Sequence, residues 1–419
     1  MDKKLKKSIC GMTLIVSLSL VPVLGVVAEM SSNDADSGTY QHTRKKKRLL
    51  SSLLFMKALA PPRGFPFSRN SLTVTGEPER RYPPSLFRSV KAQERAVRAL
   101  YEQHGYNRAV SLNLRDFSTH KYSFMKRLTR SGRYIHAMAG IFSERGLPRE
   151  LAYLPLIESE FNPYAFSGKR ATGPWQFVPA TARRLNLKMD WWVDERRDPI
   201  KSTEAAAVYM KYLYERFGTW NLALAAYNAG EGRVGRALDM AGARDFWSLR
   251  STGVLARETE NYVPAYIAAT AIALAPGQFG FPEIRYHDPF EFDEVIVDTP
   301  MDLEVAARLA GTDTVNIRDL NPELRRLCTP PNVDSYSLRI PRGTKTRFLS
   351  NLEKTRKNEV AYVNFYQVKQ GDTITKIARQ LGTTMEAIME MNDLGTRALV
   401  EAGRHLLVPR ERKWERVLQ

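Results

Sequence analysis

One acidic residue stands where it could act as a proton donor. Glu158 ends an apolar run that includes Leu156 and Ile157, and the pair Asn162-Pro163 interrupts the helical pattern soon afterwards. Apolar neighbours raise the pKa of a carboxyl group, because burial disfavours its charged form. A carboxyl group that stays protonated can donate its proton to the leaving oxygen of a glycosidic bond. The pattern therefore predicts acid catalysis by a single residue.

Three later segments carry polar and aromatic groups that could face this acid. Residues 173–179 read Gly-Pro-Trp-Gln-Phe-Val-Pro, residues 226–230 read Ala-Tyr-Asn-Ala-Gly, and residues 260–263 read Glu-Asn-Tyr-Val. Together with Glu158-Ser159, these motifs resemble, in wording and order, the lytic murein transglycosylases of the goose-lysozyme-like superfamily. The closest resemblance is to the membrane-bound type D group, whose members carry C-terminal LysM modules.

The resemblance implies both a fold and a reaction. It implies a lysozyme-like helical domain that cleaves the β-1,4 bond between N-acetylmuramic acid and N-acetylglucosamine in peptidoglycan. Most glycosidases use two carboxylates, whereas here the substrate would supply its own nucleophiles, the 2-acetamido oxygen and then the 6-hydroxyl group. Glu158 would serve as acid and then as base, leaving a 1,6-anhydro end. No cofactor is implied.

The resemblance also implies roles for residues around the acid. Gln176 and Asn228 have amide groups suited to N-acetyl and hydroxyl contacts, Tyr227 would contact the glycan, and Tyr262 would point its hydroxyl group at Glu158. Two of these residues have alternatives that the sequence leaves open. Asn228 stands beside a helix end that it could cap, and the hydroxyl group of Tyr262 could be satisfied locally.

Two further residues of the motifs are candidates for substrate binding. Ser159 could contact the glycan or merely position the helix end, and Trp175 could be a sugar platform or a core residue. Glu160 follows Glu158 by two positions, which places it on another side of a helix. Structural explanations also exist for the remaining nearby acids, which are Glu231 at a glycine-flanked turn and the loop residues Asp194 and Asp198.

Composition limits the classes of partner. The chain has 419 residues and a net charge of +18, which favours an anionic partner. No nucleic-acid-binding motif is visible, so we expect no nucleic-acid partner. The six histidines show no metal-ligand spacing, so we expect no metal site. The predicted partner is the peptidoglycan glycan strand, and we expect a monomer.

The N-terminus indicates export to the periplasm or cell envelope. Lysines at positions 3, 4, 6 and 7 precede an apolar run from about residue 9 to residue 27, and small residues precede Glu29. This pattern predicts a secretory signal peptide cleaved after Ala28, with an uncleaved anchor helix as the alternative. Cys10 is a poor lipid acceptor. The basic run 44–48 could contact a membrane surface or belong to a solvated linker.

Apolar periodicity predicts a mainly helical region from about residue 89 to residue 280. Apolar residues recur at helical spacing in residues 89–104, 134–145, 151–157, 205–217, 222–229 and 263–274, and no clear strand alternation appears between residues 90 and 275. Once a signal peptide that contains Cys10 is removed, no intramolecular disulfide could form, so we expect Cys328 to be a small buried or partly buried residue.

The C-terminal part contains a repeat. Ala307-Arg308 recurs as Ala378-Arg379, 71 positions later, and each copy predicts strand, helix, helix, strand. Both copies are therefore expected to be small α+β modules. The first copy lacks the turn residues of the second and is expected to pack on the catalytic domain rather than to bind sugar.

The second copy resembles a LysM domain, a fold that binds N-acetyl sugars in a shallow groove. The residues implied in glycan binding are Gly371, Asp372, Thr373 and Asn392. Gly371 also suits a tight turn, and Asp372 or Thr373 could cap the following helix.

These patterns predict a domain order. We expect a signal peptide at 1–28, a tether at 29–88, the catalytic domain at 89–280, a degenerate LysM-like module at 281–343, a linker at 344–361, a LysM domain at 362–410 and a basic tail at 411–419. The main prediction is a lytic transglycosylase. The alternatives are a lysozyme-like hydrolase and a catalytically silent peptidoglycan-binding scaffold.

Overall fold

The computed structural model describes residues 89–331, 333–355, 363–392, 394–395 and 400–409. The predicted signal peptide, tether and basic tail lie outside the described residues. No helix in the described ranges has the length and apolar character needed to cross a lipid bilayer.

Helices dominate the described chain up to residue 279, as the apolar periodicity predicts. The α-helices are α1 Val90–His104, α2 Arg108–Thr119, α3 Lys121–Glu144, α4 Pro155–Glu158, α5 Pro179–Arg184, α6 Pro199–Phe217, α7 Trp220–Ala229, α8 Glu231–Ala241, α9 Phe246–Ser251 and α10 Arg257–Leu274. Two 3₁₀ segments, Arg149–Tyr153 and Pro276–Phe279, complete this part. The predicted helix at residues 134–145 is the second half of the longer α3.

Side-chain caps begin several of these helices. The side chains of Ser89, Asn107 and Thr219 accept hydrogen bonds from amide groups in the first turns of α1, α2 and α7, which satisfies donors that lack intrahelical partners. Asp198 caps α6, whose first residue is Pro199, a residue suited to a first helical position.

Helix α10 lies in the centre of the helical part. It packs against α1, α2 and α7, and nearly all of its residues from Tyr262 onward are buried. The core cluster around it also contains Leu156 of α4, Phe161 and Trp175. The two elements that carry Glu158 and Tyr262 therefore meet in the same core.

Both C-terminal modules have the predicted order of strand, helix, helix, strand. In the first, β1 Phe292–Val297 and β2 Tyr336–Pro341 flank α11 Leu303–Ala310 and α12 Thr314–Leu320. In the second, β3 Val363–Gln367 and β4 His405–Pro409 flank α14 Ile374–Gln380 and α15 Met385–Met391. Each strand pair is antiparallel, with Val295 opposite Leu338 and Tyr366 opposite Leu406. The predicted mainly α fold followed by small α+β modules is confirmed.

Part of the predicted linker is a helix of the first module. Helix α13, Lys345–Lys354, begins directly after β2, and its Phe348 is fully buried in the core of that module. Phe348 and Leu352 stand four residues apart, so they face the same side of the helix. The many charged residues around them made this stretch resemble a solvated linker, and the prediction of a linker was wrong for residues 345–354.

The predicted start of this module also needs correction. Residues 281–291 run along α3 before β1 begins: the amide of His287 donates to the carbonyl oxygen of Thr129 at 2.9 Å, and that of Phe290 donates to Arg133 at 2.7 Å. Gly132 permits this approach, because a Cβ atom there would lie 2.6 Å from Cβ of Tyr286. Cys328 is buried, as predicted.

Candidate active site

Glu158 is the last residue of α4, a single turn that follows a 3₁₀ segment. Pro155 begins this turn, and the backbone then leaves the helix at Ser159. Glu160 and Phe161 have positive φ values of 56° and 58°, which are uncommon for residues other than glycine and often occur at functional sites. The sharp reversal allows Phe161 to enter the core while Glu158 keeps part of its surface open to solvent.

The carboxyl group of Glu158 has the properties of a general acid. The pKa of Glu158 is raised to about 7: burial is the largest cause, a hydrogen bond from Tyr262 opposes the rise, and the negative charge of Glu258 adds to it. In that hydrogen bond the Tyr262 hydroxyl group donates to Oε1 of Glu158. A carboxyl group with a pKa close to neutral can donate a proton and later accept one.

The loop that carries the Gly-Pro-Trp-Gln motif lies beside Glu158. The hydroxyl group of Ser159 donates to the carbonyl oxygen of Pro174 at 2.7 Å, which joins the end of α4 to the loop. The hydroxyl group of Tyr227 donates to the carbonyl oxygen of Trp175 at 2.7 Å, which joins the loop to α7. Ser159 is itself buried, which favours the positioning role among its two alternatives.

Trp175 is a core residue. Its side chain is 0% exposed, and its Nε1–H donates to Oγ1 of Thr203 at 2.8 Å. This burial corrects the predicted contact between the Trp175 ring and a glycan, because the ring has no free face. The sequence could not decide between the two roles, since tryptophan suits both a core and a sugar platform.

Gln176 is held by its own loop. Its Nε2 group donates to the carbonyl oxygens of Gly173 at 2.9 Å and Ala165 at 3.2 Å, and its φ of 48° is again positive. The side-chain amide therefore supports the loop, and its oxygen is the atom available for a substrate contact.

Tyr227 and Asn228 end α7 on the opposite side of the site. The charge of Glu158 contributes to the raised pKa of the Tyr227 hydroxyl group, after the larger effect of burial. Asn228 accepts a hydrogen bond from Oγ1 of Thr259 at 2.8 Å, and its Nδ2 donates to Oε1 of Glu258 at 3.2 Å. Asn228 thus connects α7 to the first turn of α10 rather than capping its own helix.

Glu258 is a member of this site that the motifs did not reveal. Its side chain is exposed. Oε2 of Glu258 lies 3.8 Å from Nζ of Lys169, and Oε1 accepts the hydrogen bond from Asn228. Glu258 and Tyr262 stand four residues apart in α10, so they face the same side of that helix. This spacing from the predicted Tyr262 was the signal in the sequence that could have identified Glu258.

The other acids considered from the sequence have structural partners. Glu160 forms ion pairs with Arg127 at 3.2 Å and with Arg130. Glu231 begins α8, pairs with Arg184 at 2.9 Å and accepts a hydrogen bond from the Tyr209 hydroxyl group. The pKa of Glu231 is lowered although burial opposes this, because the backbone and these partners favour the carboxylate.

The four residues implied in LysM glycan binding have local roles in the second module. Gly371 has a φ of 82° in the turn, Asp372 accepts hydrogen bonds from the Tyr366 hydroxyl group and the amide of residue 369, and Thr373 caps α14. The Asn392 side chain makes three hydrogen bonds to the backbone, two of them with Leu407. These hydrogen bonds hold α15 to β4, and the glycan contact implied for Asn392 stays a prediction.

Three domain families match the chain in sequence order. Residues 142–249 match the transglycosylase SLT domain, residues 291–357 match the LysM-like domain of lytic transglycosylase MltD, and residues 366–409 match the LysM domain. The second match includes α13, in agreement with its packing in the first module.

Two curated relatives and two solved structures are similar to parts of the chain. The membrane-bound lytic murein transglycosylase D of Escherichia coli (strain K12) is 32% identical over 279 residues, which are 62% of this chain and 60% of that protein. The chain therefore spans less than two thirds of that relative's length. A putative tributyltin chloride resistance protein of Alteromonas sp. (strain M-1) is 39% identical over 160 residues, 34% of this chain and 77% of that protein.

Both solved structures are lytic transglycosylases. The lytic transglycosylase Slt of Pseudomonas aeruginosa has 24% identity and a TM-score of 0.31, with 49% of this chain and 33% of that chain covered. The 70 kDa enzyme of Escherichia coli has 17% identity and a TM-score of 0.30, with 59% and 46% covered. In sequence order, the chain thus carries matches to an SLT domain, to the LysM-like domain of lytic transglycosylase MltD and to a LysM domain, and it is similar to a membrane-bound lytic murein transglycosylase D.

Proposed function

We propose that this protein is a peptidoglycan lytic transglycosylase that uses Glu158 as its acid and base. The main support is the environment of Glu158, whose carboxyl group has a pKa of about 7 and accepts a hydrogen bond from Tyr262. The substrate would be the β-1,4 bond between N-acetylmuramic acid and N-acetylglucosamine. The match to the SLT domain and the similarity to a membrane-bound lytic murein transglycosylase D support this class of substrate.

The first step breaks the glycosidic bond. Glu158 donates its proton to the leaving oxygen of N-acetylglucosamine while the 2-acetamido oxygen of N-acetylmuramic acid forms a bond to C1 of the same sugar. Glu158 is left as a carboxylate, and the Tyr262 hydroxyl group stabilises that negative charge through its hydrogen bond. Because the pKa is raised, a large share of Glu158 carries a proton at neutral pH before this step. The hydrogen bond from Tyr262 stabilises the carboxylate that the step produces.

The second step closes the anhydro ring. The Glu158 carboxylate removes the proton from the 6-hydroxyl group of N-acetylmuramic acid, and O6 forms a bond to C1 as the bond from the acetamido oxygen breaks. Glu158 is protonated again at the end, so one residue completes the cycle. In this proposal, the side-chain amide of Asn228 and the side-chain oxygen of Gln176 form hydrogen bonds with the sugar.

A hydrolase is the second candidate, and Glu258 is the observation that favours it. Glu258 acts electrostatically on Glu158 and is an exposed carboxylate beside Asn228. An acid in this position could act as a base towards water, as the second carboxylate does in many glycosidases. Its attachment to Asn228 and its proximity to Lys169 favour a positioning role instead.

Mass analysis of the products distinguishes the candidates. Purified, uncrosslinked glycan strands should yield fragments with 1,6-anhydro ends, each lighter by one water than the corresponding reducing end. Reducing ends in place of anhydro ends would identify a hydrolase. The absence of any new ends would identify a peptidoglycan-binding scaffold and overturn the proposal.

The second module is proposed to hold the enzyme on peptidoglycan. Deletion of residues 362–419 should weaken co-sedimentation with isolated sacculi while short soluble glycans are still cleaved, because the described site residues all lie before residue 263. The control is the same assay at raised salt, which screens attraction between exposed charges. Unchanged co-sedimentation of the truncated protein at physiological salt would assign binding to the positive surface instead.

The proposed location is the cell envelope. The Lys-rich start and apolar run of the sequence support export, and a peptidoglycan substrate requires it. The basic run 44–48 is proposed as a peripheral membrane contact, and the protein is proposed to act as a monomer.

A further inference from the structure

We propose that the first C-terminal module, residues 292–354, positions the active-site loop 170–177, and that Arg339 is the residue through which it does so. This inference rests on the proposed function of Glu158. The notable feature is an uninterrupted series of hydrogen bonds and ion pairs that joins this module, the segment 192–198 and the loop.

The first link is a short backbone pairing. Val193 lies opposite Leu324 in an isolated antiparallel bridge, in which the amide of Asp194 donates to the carbonyl oxygen of Glu323 at 2.8 Å and the amide of Arg325 donates to Trp192 at 2.8 Å. Trp192 and Val193 are buried in the hydrophobic core of the module rather than in that of the helical part. The segment 192–198 therefore belongs to both parts of the protein.

The second link is a buried ion pair. Nη2 of Arg339, on β2, donates to Oδ2 of Asp198 at 2.9 Å, and their side chains are 6% and 0% exposed. The other carboxylate oxygen of Asp198 accepts the amides of Ile200 and Lys201 and so caps α6. Removing one partner of such a buried pair leaves the other charge without compensation. Arg339 therefore joins the end of the segment 192–198, together with the start of α6, to strand β2 of the module.

Two acids of its own module also lie near Arg339. Oε2 of Glu323 lies 3.9 Å from Nη1 of Arg339, and the other oxygen of Glu323 accepts a hydrogen bond from the Tyr336 hydroxyl group at 2.7 Å. Oε1 of Glu294, on β1, lies 3.8 Å from Nε of Arg339. The arginine thus lies between Asp198 of the helical part and two acids of its own module.

The third link reaches the loop. Asp194 holds the Arg196 guanidinium through two hydrogen bonds of 2.8 and 2.7 Å. Nη1 of Arg196 then donates to the carbonyl oxygens of Arg170 at 2.8 Å and Phe177 at 3.0 Å, the two ends of the loop. A bidentate arginine fixes orientation as well as distance, so the loop has little freedom to move away from the segment 192–198.

The loop in turn holds the end of helix α4, which carries Glu158. The carbonyl oxygen of Pro174 accepts the hydrogen bond from Ser159, the residue after Glu158, and that of Trp175 accepts the hydrogen bond from Tyr227. A displacement of the segment 192–198 would therefore change the position of Glu158, although Arg339 itself does not touch the substrate. Arg339 is a positioning residue in this proposal.

The test compares Arg339→Met with Arg342→Met in the full chain. Methionine keeps an apolar stem but removes the charge, and Arg342 pairs with Glu291 on the exposed surface of the same module. We expect Arg339→Met to lower kcat on short soluble glycan strands at least ~10-fold with little change in KM, since a misplacement of about 1 Å can cost ~10²-fold. Arg342→Met should have the kcat of the unaltered protein, and Arg339→Lys should restore part of the loss.

Hydrogen exchange supplies a readout that does not depend on activity. In Arg339→Met, the amides of residues 170–177 should exchange faster, whereas those of α2 should be unchanged. Wild-type kcat together with wild-type exchange in folded Arg339→Met would overturn the inference. If the unaltered protein released no anhydro ends, the proposed function would fail, but the exchange comparison would still decide whether the module holds the loop. Should Arg339→Met not fold, the same two measurements on Arg339→Lys, with smaller expected changes, decide the question.

Discussion

Replacement of Glu158 by glutamine is expected to abolish release of 1,6-anhydro products while the fold and glycan binding persist. Glutamine has nearly the same shape and can still accept the hydrogen bond from Tyr262, but it cannot donate and recover a proton. Positioned acid–base catalysis contributes ~10²–10⁴-fold. Because Glu158 serves both steps of the proposed reaction, the loss should be at least that large. Product release measured by mass spectrometry, with sacculus binding of the same preparation, checks the prediction.

Two neighbouring acids provide matched controls. Glu160→Gln should have a mild effect, because Glu160 is partly exposed and its partners Arg127 and Arg130 are arginines outside the proposed chemistry. Glu231→Gln should affect the start of α8 more than the reaction. Near-normal anhydro-product release by Glu158→Gln would contradict the assignment, above all if Glu160→Gln or Glu231→Gln were inactive instead.

Glu258→Gln separates the two candidate reactions. If Glu258 only positions Asn228 and raises the pKa of Glu158, its replacement should reduce activity but leave anhydro ends as the product. If Glu258 acts as a base towards water, the unaltered protein should give reducing ends and the variant should be inactive. Glu258→Gln, analysed together with the unaltered protein, therefore distinguishes the two mechanisms.

The sequence predicted the helices that carry the site residues, because apolar periodicity and helix-ending residues are local features of a chain. The apolar spacing of α10 and the glycine after α7 indicated the two helices that carry Tyr262 and Tyr227. The position of Glu158 at a helix end followed from the apolar run before it and the Asn162-Pro163 pair after it. These features depend on residues close to one another in the chain, where periodicity and helix-ending residues carry the information.

Contacts between distant residues had no such signal. Arg339 and Asp198 are 141 positions apart, and nothing in the spacing around either residue indicates a buried pair. The positive φ values of Glu160, Phe161 and Gln176 are likewise imposed by tertiary packing, because residues of these types ordinarily avoid that region. The core position of Trp175 depends on Thr203 and on the packing of the loop, which its own motif does not determine.

Replacement of Gly173 by alanine is expected to have the second-largest effect. Gly173 has a φ of 84°, and a Cβ atom there would lie 1.8 Å from the carbonyl oxygen of Arg196. Backbone atoms cannot move aside as a flexible side chain can, so the loop must shift away from Arg196. The shift would disturb the hydrogen bonds from Ser159 to Pro174 and from Tyr227 to the next carbonyl. We expect a loss of kcat of about 10²-fold, together with a lower Tm.

Gly168→Ala is the matched control for this prediction, since it makes the same substitution in the same region of the chain. Its φ is not positive, and an added Cβ atom would meet nothing within 4 Å. Alanine at a compatible position restricts the unfolded chain and typically stabilises a protein by ~0.4–1 kcal/mol. Gly168→Ala should therefore keep its activity and its Tm or gain slightly in Tm. Equal losses of kcat and Tm from both substitutions would show that the region needs glycine for flexibility. A fully active Gly173→Ala variant would refute the rigid contact between the loop and Arg196.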